Sequence, residues 1–245
     1  MFHNMARAAA GLAGGGGDGS GDPYFANVAA LLHMDGANTS TMFADEIGGS
    51  WVAIGSAQID TDESKFGGAS GYFDGASNVL SSASSAYNIG TSDFTIECWI
   101  KPSAVIGTYR VIASRQSDSS SSAIALQLRI NTVGQLEAVL RGGTTTIYTV
   151  SSSGTLSTTA FQHVAVTRES GVLRCFINGT LDGVQGGANS TLNDVSAQFS
   201  IGSIDTPTSG PTSFYSGWVD DFRLTIGVAR YTDSFTLPTS TFPNE

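Results

Sequence analysis

Six aromatic side chains, Trp51, Trp99, Trp218, Tyr109, Tyr148 and Tyr215, could serve as flat platforms for a sugar ring beside Asp, Asn or Arg partners. Of these, Trp99, Tyr109, Tyr148 and Tyr215 are the carbohydrate-binding candidates. The competing reading is that Trp99 packs under loops and Trp218 covers a sheet edge. Catalytic sets are poorer. Glycoside hydrolysis needs two carboxylates, about 5–5.5 Å apart in a retaining enzyme. Glu97 and Glu137 are instead lone acids in strand-like segments, so no enzyme is expected. His3, His33 and His163 lack metal-ligand spacing, and His163 reads as a packed or hydrogen-bonded imidazole. There is no G-x-S-x-G elbow and no P-loop, and the run Gly14 to Gly17 lacks the lysine and helix that would make a phosphate cradle. Cys98 and Cys175 read as small buried hydrophobes, with a disulfide between them as the alternative.

The elements that must position these residues are strands. Phe94 to Ile100 alternates, with Phe94, Ile96, Cys98 and Ile100 on one face and Glu97 and Trp99 on the other. Segments 124–130, 135–141, 161–168 and 172–178 repeat the pattern, and 218–224 is a late strand. Turn clusters separate them, and Asn178-Gly179 is a hairpin signal, because Asn-Gly supplies the positive φ angles of a type I′ turn. No long segment has a 3.6-residue apolar period. Many short strands with turns every ~8–12 residues predict a sandwich or barrel. The expected core includes Phe94, Ile96, Ile100, Leu126, Leu128, Val164, Val166 and Ile201. The polar alternate positions predict sheets with one packed face and one wet face.

Composition limits the function classes. The 245 residues carry 11 Lys+Arg against 21 Asp+Glu, a net −10, which argues against a phosphate-binding surface. Lys65 and Lys101 are the only lysines, so a polybasic membrane patch is not expected. No apolar run approaches the roughly 18–20 residues of a membrane-spanning helix, and the N-terminus does not read as a secretory signal. Only 13% of residues are charged, and Gly, Ser and Thr fill many polar positions. Three parts are predicted: an Ala/Gly-rich tether at 1–22, a sandwich at 23–226, and an extended tail at 227–245 pinned by Tyr231, Phe235 and Phe242.

Five phrases, in order, resemble one family. They are Phe66 to Gly75 (FGGASGYFDG), Phe94 to Pro102 (FTIECWIKP), Phe161 to Arg168 (FQHVAVTR), Leu173 to Gly179 (LRCFING) and Ser216 to Leu224 (SGWVDDFRL). Together they resemble laminin-G-like, concanavalin A-like domains over about residues 28–226. The departure is Phe161, where the family usually has Trp. The resemblance implies an all-β jelly-roll sandwich of two antiparallel sheets. The ends, Asp22 to Gly36 and Gly227 to Pro243, are similar to those of such domains in tailed-phage structural proteins.

The family also implies a structural Ca²⁺ near the junction of first and last strands. Its candidate oxygen ligands are Asp35, Asp45, Asp74, Asp220 and Asp221. The alternative is that Asp35, Asp45 and Asp74 cap turns, while Asp220 or Asp221 accepts from backbone or from Arg223. The family's glucanases carry an acidic cluster, E-x-D-x-E or E-x-D-x-x-E, which is missing here. The resemblance therefore leads us to expect a non-enzymatic virion component on a particle surface, in a capsid decoration or a tail. Its expected partners are other virion proteins, copies of itself and a host-surface glycan, with no nucleic acid and no membrane insertion. A free or surface-displayed carbohydrate-binding module is the alternative, and a glycoside hydrolase a weaker one.

Overall fold

A computed structural model of the chain describes residues 21–76, 79–82, 85–117, 124–143, 146–192, 198–206 and 210–245. The first twenty residues of the expected tether lie outside these. The described strands run in the order β1 (Val28–Leu32), β2 (Val52–Ile54), β3 (Gln58–Asp60), β4 (Ser70–Asp74), β5 (Val79–Ser82), β6 (Phe94–Pro102), β7 (Arg110–Gln116) and β8 (Ile124–Ile130). They continue as β9 (Gln135–Gly142), β10 (Thr146–Thr155), β11 (Gln162–Glu169), β12 (Val172–Ile177), β13 (Thr180–Gln185), β14 (Gln198–Ile201) and β15 (Ser216–Ile226). Every strand pairing is antiparallel.

They form two sheets. The eight-stranded sheet has the order β13-β12-β11-β6-β15-β4-β3, with β1 also paired to β15. The seven-stranded sheet has the order β10-β9-β8-β7-β14-β5-β2. Their inner faces meet in one core. All eight core residues expected from the alternation are fully buried in it, with Phe222, Leu224, Phe199 and Tyr215 beside them. The Asn178-Gly179 turn adopts positive φ at both residues and joins β12 to β13. Gly179 is also needed for space, because a Cβ there would lie far inside contact distance of a backbone oxygen of the tail, that of Phe235.

Cys98 and Cys175 are free and buried. They sit on β6 and β12, which β11 separates. Two strand spacings of about 4.8 Å exceed the Cα span that a disulfide tolerates. Burial pushes the Cys175 thiol up to about 12, and the Cys98 thiol up as well.

One irregularity decides where the acids of β15 point. The pairing of β15 with β6 runs Asp220↔Trp99 and then Arg223↔Glu97, so β15 carries one extra residue. Asp221 takes φ of 49°, the left-handed region, and the strand bulges there. Val219, Phe222 and Leu224 thereby all reach the core. Strict alternation would have turned Phe222 away from it.

The expectation of wet outer faces fails for the eight-stranded sheet, and on the seven-stranded sheet Gln116, Gln127 and Glu137 are buried as well. Residues 227–245 cross the outer face of the eight-stranded sheet, and the segment around Asp22 closes one end. Thr95, Glu97, Trp99, His163, Thr167, Arg223 and Thr225 all point away from the core, yet all are buried. Alternation shows which residues leave the core, not what covers them.

Candidate functional site

Two outer faces collect the remaining polar chemistry, and they differ in kind. On the eight-stranded face the centre is Glu97 on β6, with none of its surface exposed. Arg223, its cross-strand neighbour on β15, donates from Nε (3.0 Å) and Nη2 (2.8 Å) to Glu97 Oε1. Tyr231 from the tail donates its hydroxyl to Oε2 at 2.9 Å. Asp22 accepts from Arg223 at 3.1 Å and from both terminal nitrogens of Arg230, at 2.9 and 2.7 Å. Burial by itself would raise the Glu97 carboxyl, but Arg223, His163 and Arg230 outweigh it and hold the group far below the usual carboxylate range. Asp22 is lowered in the same way, burial opposing and Arg230 prevailing. Asp22 is thus an anchor of the sandwich rather than the last residue of a tether.

Aromatic rings close this network from outside. Tyr231 and Phe235 stack at 3.5 Å between centroids, and Phe235 packs edge-on against Phe176 and His163. The Arg223 guanidinium lies 3.7 Å from the centroid of Phe242. His33 fastens the end of the tail. Its Nδ1 bonds Asp221 Oδ1 and its Nε2 bonds Asn244 Oδ1, both at 2.6 Å. Burial disfavours the His33 cation, yet Asp221 and Asn244 raise its pKa to about 9.

The five aspartates expected to share a cation are divided among separate tasks. Asp45 accepts from the backbone N–H of Leu31 and Ile47 and from Trp51 Nε1. Asp74 makes an Asx turn with the N–H of Ala76. Asp221 holds His33 and the N–H of Phe242. Asp220 Oδ2 accepts from the N–H groups of Lys65 and Phe66, and burial pushes its pKa up to about 7, with Asp221 and Asp35 adding like charge. Burial raises Asp35 as well. Among the described residues, no group of three or more His, Cys, Asp or Glu is placed to hold a metal ion. Asp45 and Asp74 are drawn off by nearby N–H donors, and the bulge aims Asp221 at the tail.

The aromatic candidates also separate. Trp99 is 2% exposed, enclosed by Phe66, His163 and the Lys65 ammonium, so its ring offers no open platform. Tyr215 is buried in the core and donates to the Trp218 carbonyl. Tyr148 packs against the core and bonds Ser190 through its hydroxyl. Trp51 is a buried core ring. Trp218 is half-buried against Tyr72, with its Nε1 on Asp60. Tyr109 is different: it is 45% exposed and its ring stacks on the Arg129 guanidinium at 4.0 Å.

Tyr109 belongs to the outer face of the seven-stranded sheet. There a chain of polar side chains crosses four adjacent strands. Gln127 Nε2 donates to Gln116 Oε1 at 2.8 Å, and Arg129 Nη1 donates to Gln127 Oε1 at 2.9 Å. Arg129 Nε donates to Glu137 Oε1 at 2.7 Å, and Ser151 Oγ donates to Glu137 Oε2 at 3.1 Å. Exposed Ile106 and Val133 pair across the loops next to this face. The exposed Tyr109 ring and the partly exposed Arg129 guanidinium can hold a polyhydroxylated ring by its face and its hydroxyls, while the buried amides and Glu137 fix that guanidinium in place. Among the described residues the two strand glutamates do not meet there. Glu137 is tied to Arg129, and Glu97 lies on the other sheet under the tail.

Residues 73–227 match the concanavalin A-like lectin/glucanases superfamily, and the chain belongs to it. No curated protein matches the sequence. Among solved structures, the chain is similar to the binding domain of Paraclostridial Mosquitocidal Protein 1, with TM-score 0.64 and 14% identity over 84% of this chain and 51% of that one. It is also similar to the botulinum neurotoxin serotype C1 binding domain, with TM-score 0.59 and 12% identity over 84% and 50%. The binding domain of botulinum neurotoxin DC in complex with SialylT is a third, with TM-score 0.60 and 13% identity over 84% and 49%. The chain spans about half the length of these structures, and the likeness is one of fold.

Of the four aromatic candidates Tyr109 is the exposed one, and the guanidinium beneath it, Arg230 and Asp22 were not singled out by sequence reasoning. A signal for the Arg230 cluster was present. Glu97 in the FTIEC phrase and Arg230-Tyr231 in the closing phrase both belong to the family-like pattern, yet an acid, a base and a phenol far apart in sequence cannot be paired without topology.

Proposed function

We propose that this domain is a non-catalytic glycan-binding module whose binding surface is the outer face of the seven-stranded sheet, centred on Tyr109. The observation that carries the reading is the exposed ring stacked on Arg129, in the middle of the Gln116–Gln127–Arg129–Glu137–Ser151 chain. The binding-domain neighbours support it, one of them in complex with SialylT. Another structure similar in fold describes botulinum neurotoxin type C cell entry as dependent on interaction with two ganglioside molecules.

The likeness of both ends to tailed-phage structural proteins supports a finer reading. The module is displayed on a virion surface, in a capsid decoration or tail, among other virion proteins and copies of itself, and engages a host-surface glycan. A glycan array with wild type and Tyr109→Ala tests the binding. Wild-type signal that the variant loses is expected, and silence of the wild type on every glycan refutes it. Deleting residues 1–20, which spares Asp22, tests the virion role. Loss of incorporation into particles with the sandwich still folded is expected, and unchanged incorporation counts against the tether.

A further inference from the structure

Strand alternation sets a second pair of rings on the outer face of the eight-stranded sheet, at the end away from Glu97. Ile59, Phe73, Val219 and Ile100 point into the core. Their chain neighbours Gln58, Tyr72, Trp218 and Lys101 therefore point outward. The register pairs Gln58 with Tyr72, Tyr72 with Trp218, and Trp218 with Lys101, so they form one row across β3, β4, β15 and β6. Three strand spacings of about 4.8 Å give the row a length of about 14 Å. Tyr231, Phe235 and Phe242 from the tail pack elsewhere on this face, on Phe176, His163 and Arg223. The whole row is half-buried, whereas Glu97, Trp99 and His163 are sealed.

The two rings make a fixed shelf with polar ends. The Tyr72 and Trp218 centroids lie 5.4 Å apart, with the planes at 48°. Trp218 Nε1 donates to Asp60 Oδ2 at 2.9 Å, which holds the indole in one orientation. The Lys101 ammonium stands 5.3 Å from the Trp218 centroid and pairs with Glu63. An ammonium carries three hydrogens and a primary amide two, so Lys101 and Gln58 bring donors to the two ends of the shelf. Asp60 and Glu63 against the one ammonium leave no surplus positive charge, which complements hydroxyl groups and repels an anion.

We propose that the Tyr72–Trp218 shelf is a second saccharide site, for a neutral oligosaccharide whose C–H face lies on the two rings while its hydroxyls meet Lys101, Gln58 and Asp60. The length of the row suits a short oligosaccharide rather than a single sugar. The proposal goes beyond the Tyr109 reading and does not depend on it, because the two platforms stand on the outer faces of different sheets with the core between them. Together they make the domain bivalent, holding one glycan on each side of the sandwich.

The test uses the full chain with cellotriose, mannotriose and lactose, and with sialyllactose as the acidic control. Glycans that stay bound after Tyr109→Ala belong to the shelf, and those that are lost belong to Tyr109. In titration calorimetry at least one neutral probe should bind Tyr109→Ala, and Trp218→Leu should weaken that binding about tenfold or more. Raising the salt should leave it unchanged. Trp218→Phe keeps a ring and loses the indole N–H, so it should retain part of the affinity and guards against a fold defect in the leucine variant. Quenching by acrylamide is the second readout. Trp51 and Trp99 are 8% and 2% exposed, so Trp218 is the indole that a quencher reaches. Bound saccharide should shield it in wild type and in Tyr109→Ala alike.

Binding that Tyr109→Ala abolishes and Trp218→Leu leaves intact overturns the proposal and keeps the Tyr109 reading. Binding that only Trp218→Leu removes keeps the shelf and sinks the Tyr109 reading. A tighter grip of Tyr109→Ala on sialyllactose than on lactose overturns the neutral class. Silence of the wild type with every probe, and no protection from the quencher, removes both sites together.

Discussion

The two outer faces carry similar residue types and put them to opposite uses. On the eight-stranded sheet, Glu97, Arg223, Asp22, Arg230 and Tyr231 satisfy one another, and the tail seals them from water. On the seven-stranded sheet, the Gln116-to-Ser151 chain is also mutually paired, but it fixes Arg129 under Tyr109, a ring that stays exposed. The difference teaches that a charge-bearing strand face is not by itself a site. A paired set sealed by the tail is architecture, and a paired set that holds up an exposed ring is capacity for a ligand.

The largest effect should come from removing the lid. A chain ending at residue 226 loses buried Phe242, at about 1.5–3 kcal/mol, together with the partly buried rings of Tyr231 and Phe235 and their bonds to the Glu97 network. Urea titration followed by circular dichroism should find it unfolded or aggregated. A melt within a few degrees of wild type would show that the tail is dispensable and the two faces alike.

Glu97→Ala comes next. It takes from fully enclosed Arg223 one of its two carboxylate partners, leaving Asp22, and should cost roughly 3–5 kcal/mol. The matching change on the other face, Glu137→Ala, leaves Arg129 partly exposed and still bonded to Gln127, and should cost less, about 1–3 kcal/mol. Equal losses in chemical denaturation would erase the contrast. The Glu97 contribution has a definite pH sign. Its folded pKa is depressed, so the stabilisation is complete above its ordinary value of 4.5 and declines as pH falls below that.

A smaller, opposite dependence belongs to His33. Its folded pKa of about 9 lies above the ordinary 6.5, so its stabilisation is complete below 6.5 and is lost as pH rises through about 9. Stability of wild type should drop across that window by on the order of 1–2 kcal/mol after solvent screening, and His33→Gln should flatten the drop. An identical pH profile for the two proteins would detach His33 from the clamp.

The smallest change in stability, within about 0.5 kcal/mol, should follow Tyr109→Ala, together with loss of glycan binding in titration calorimetry. Destabilisation comparable to Glu97→Ala would make Tyr109 a packing residue and place both faces in the same class.

How much of this was readable differs by feature. The alternation of Phe94, Ile96, Cys98 and Ile100, the Asn178-Gly179 turn and the eight core residues follow from the period of a strand and the torsional freedom of two residue types. The sugar platform was only partly readable. Trp99 and Tyr109 look alike as sequence, and whether a ring faces water depends on Phe66, Lys65 and His163, which arrive from other strands and loops. The same limit applies to the aspartates. Asp45 has an N–H donor two residues away, and Asp221 sits on a bulge that strict alternation does not contain.

The sequence by itself therefore determined the all-β class, the family and the core face of the regularly alternating strands, because all of these rest on local periodicity, turn chemistry or recurring phrases. Only the tertiary structure decided where β15 bulges, which polar face the tail covers and which one carries an exposed ring. That choice depends on where residues 227–245 cross the sheet and on which charges, distant in the chain, come within hydrogen-bonding reach. Burial and pairing across such separations set the energy of a charge, and no local pattern encodes them.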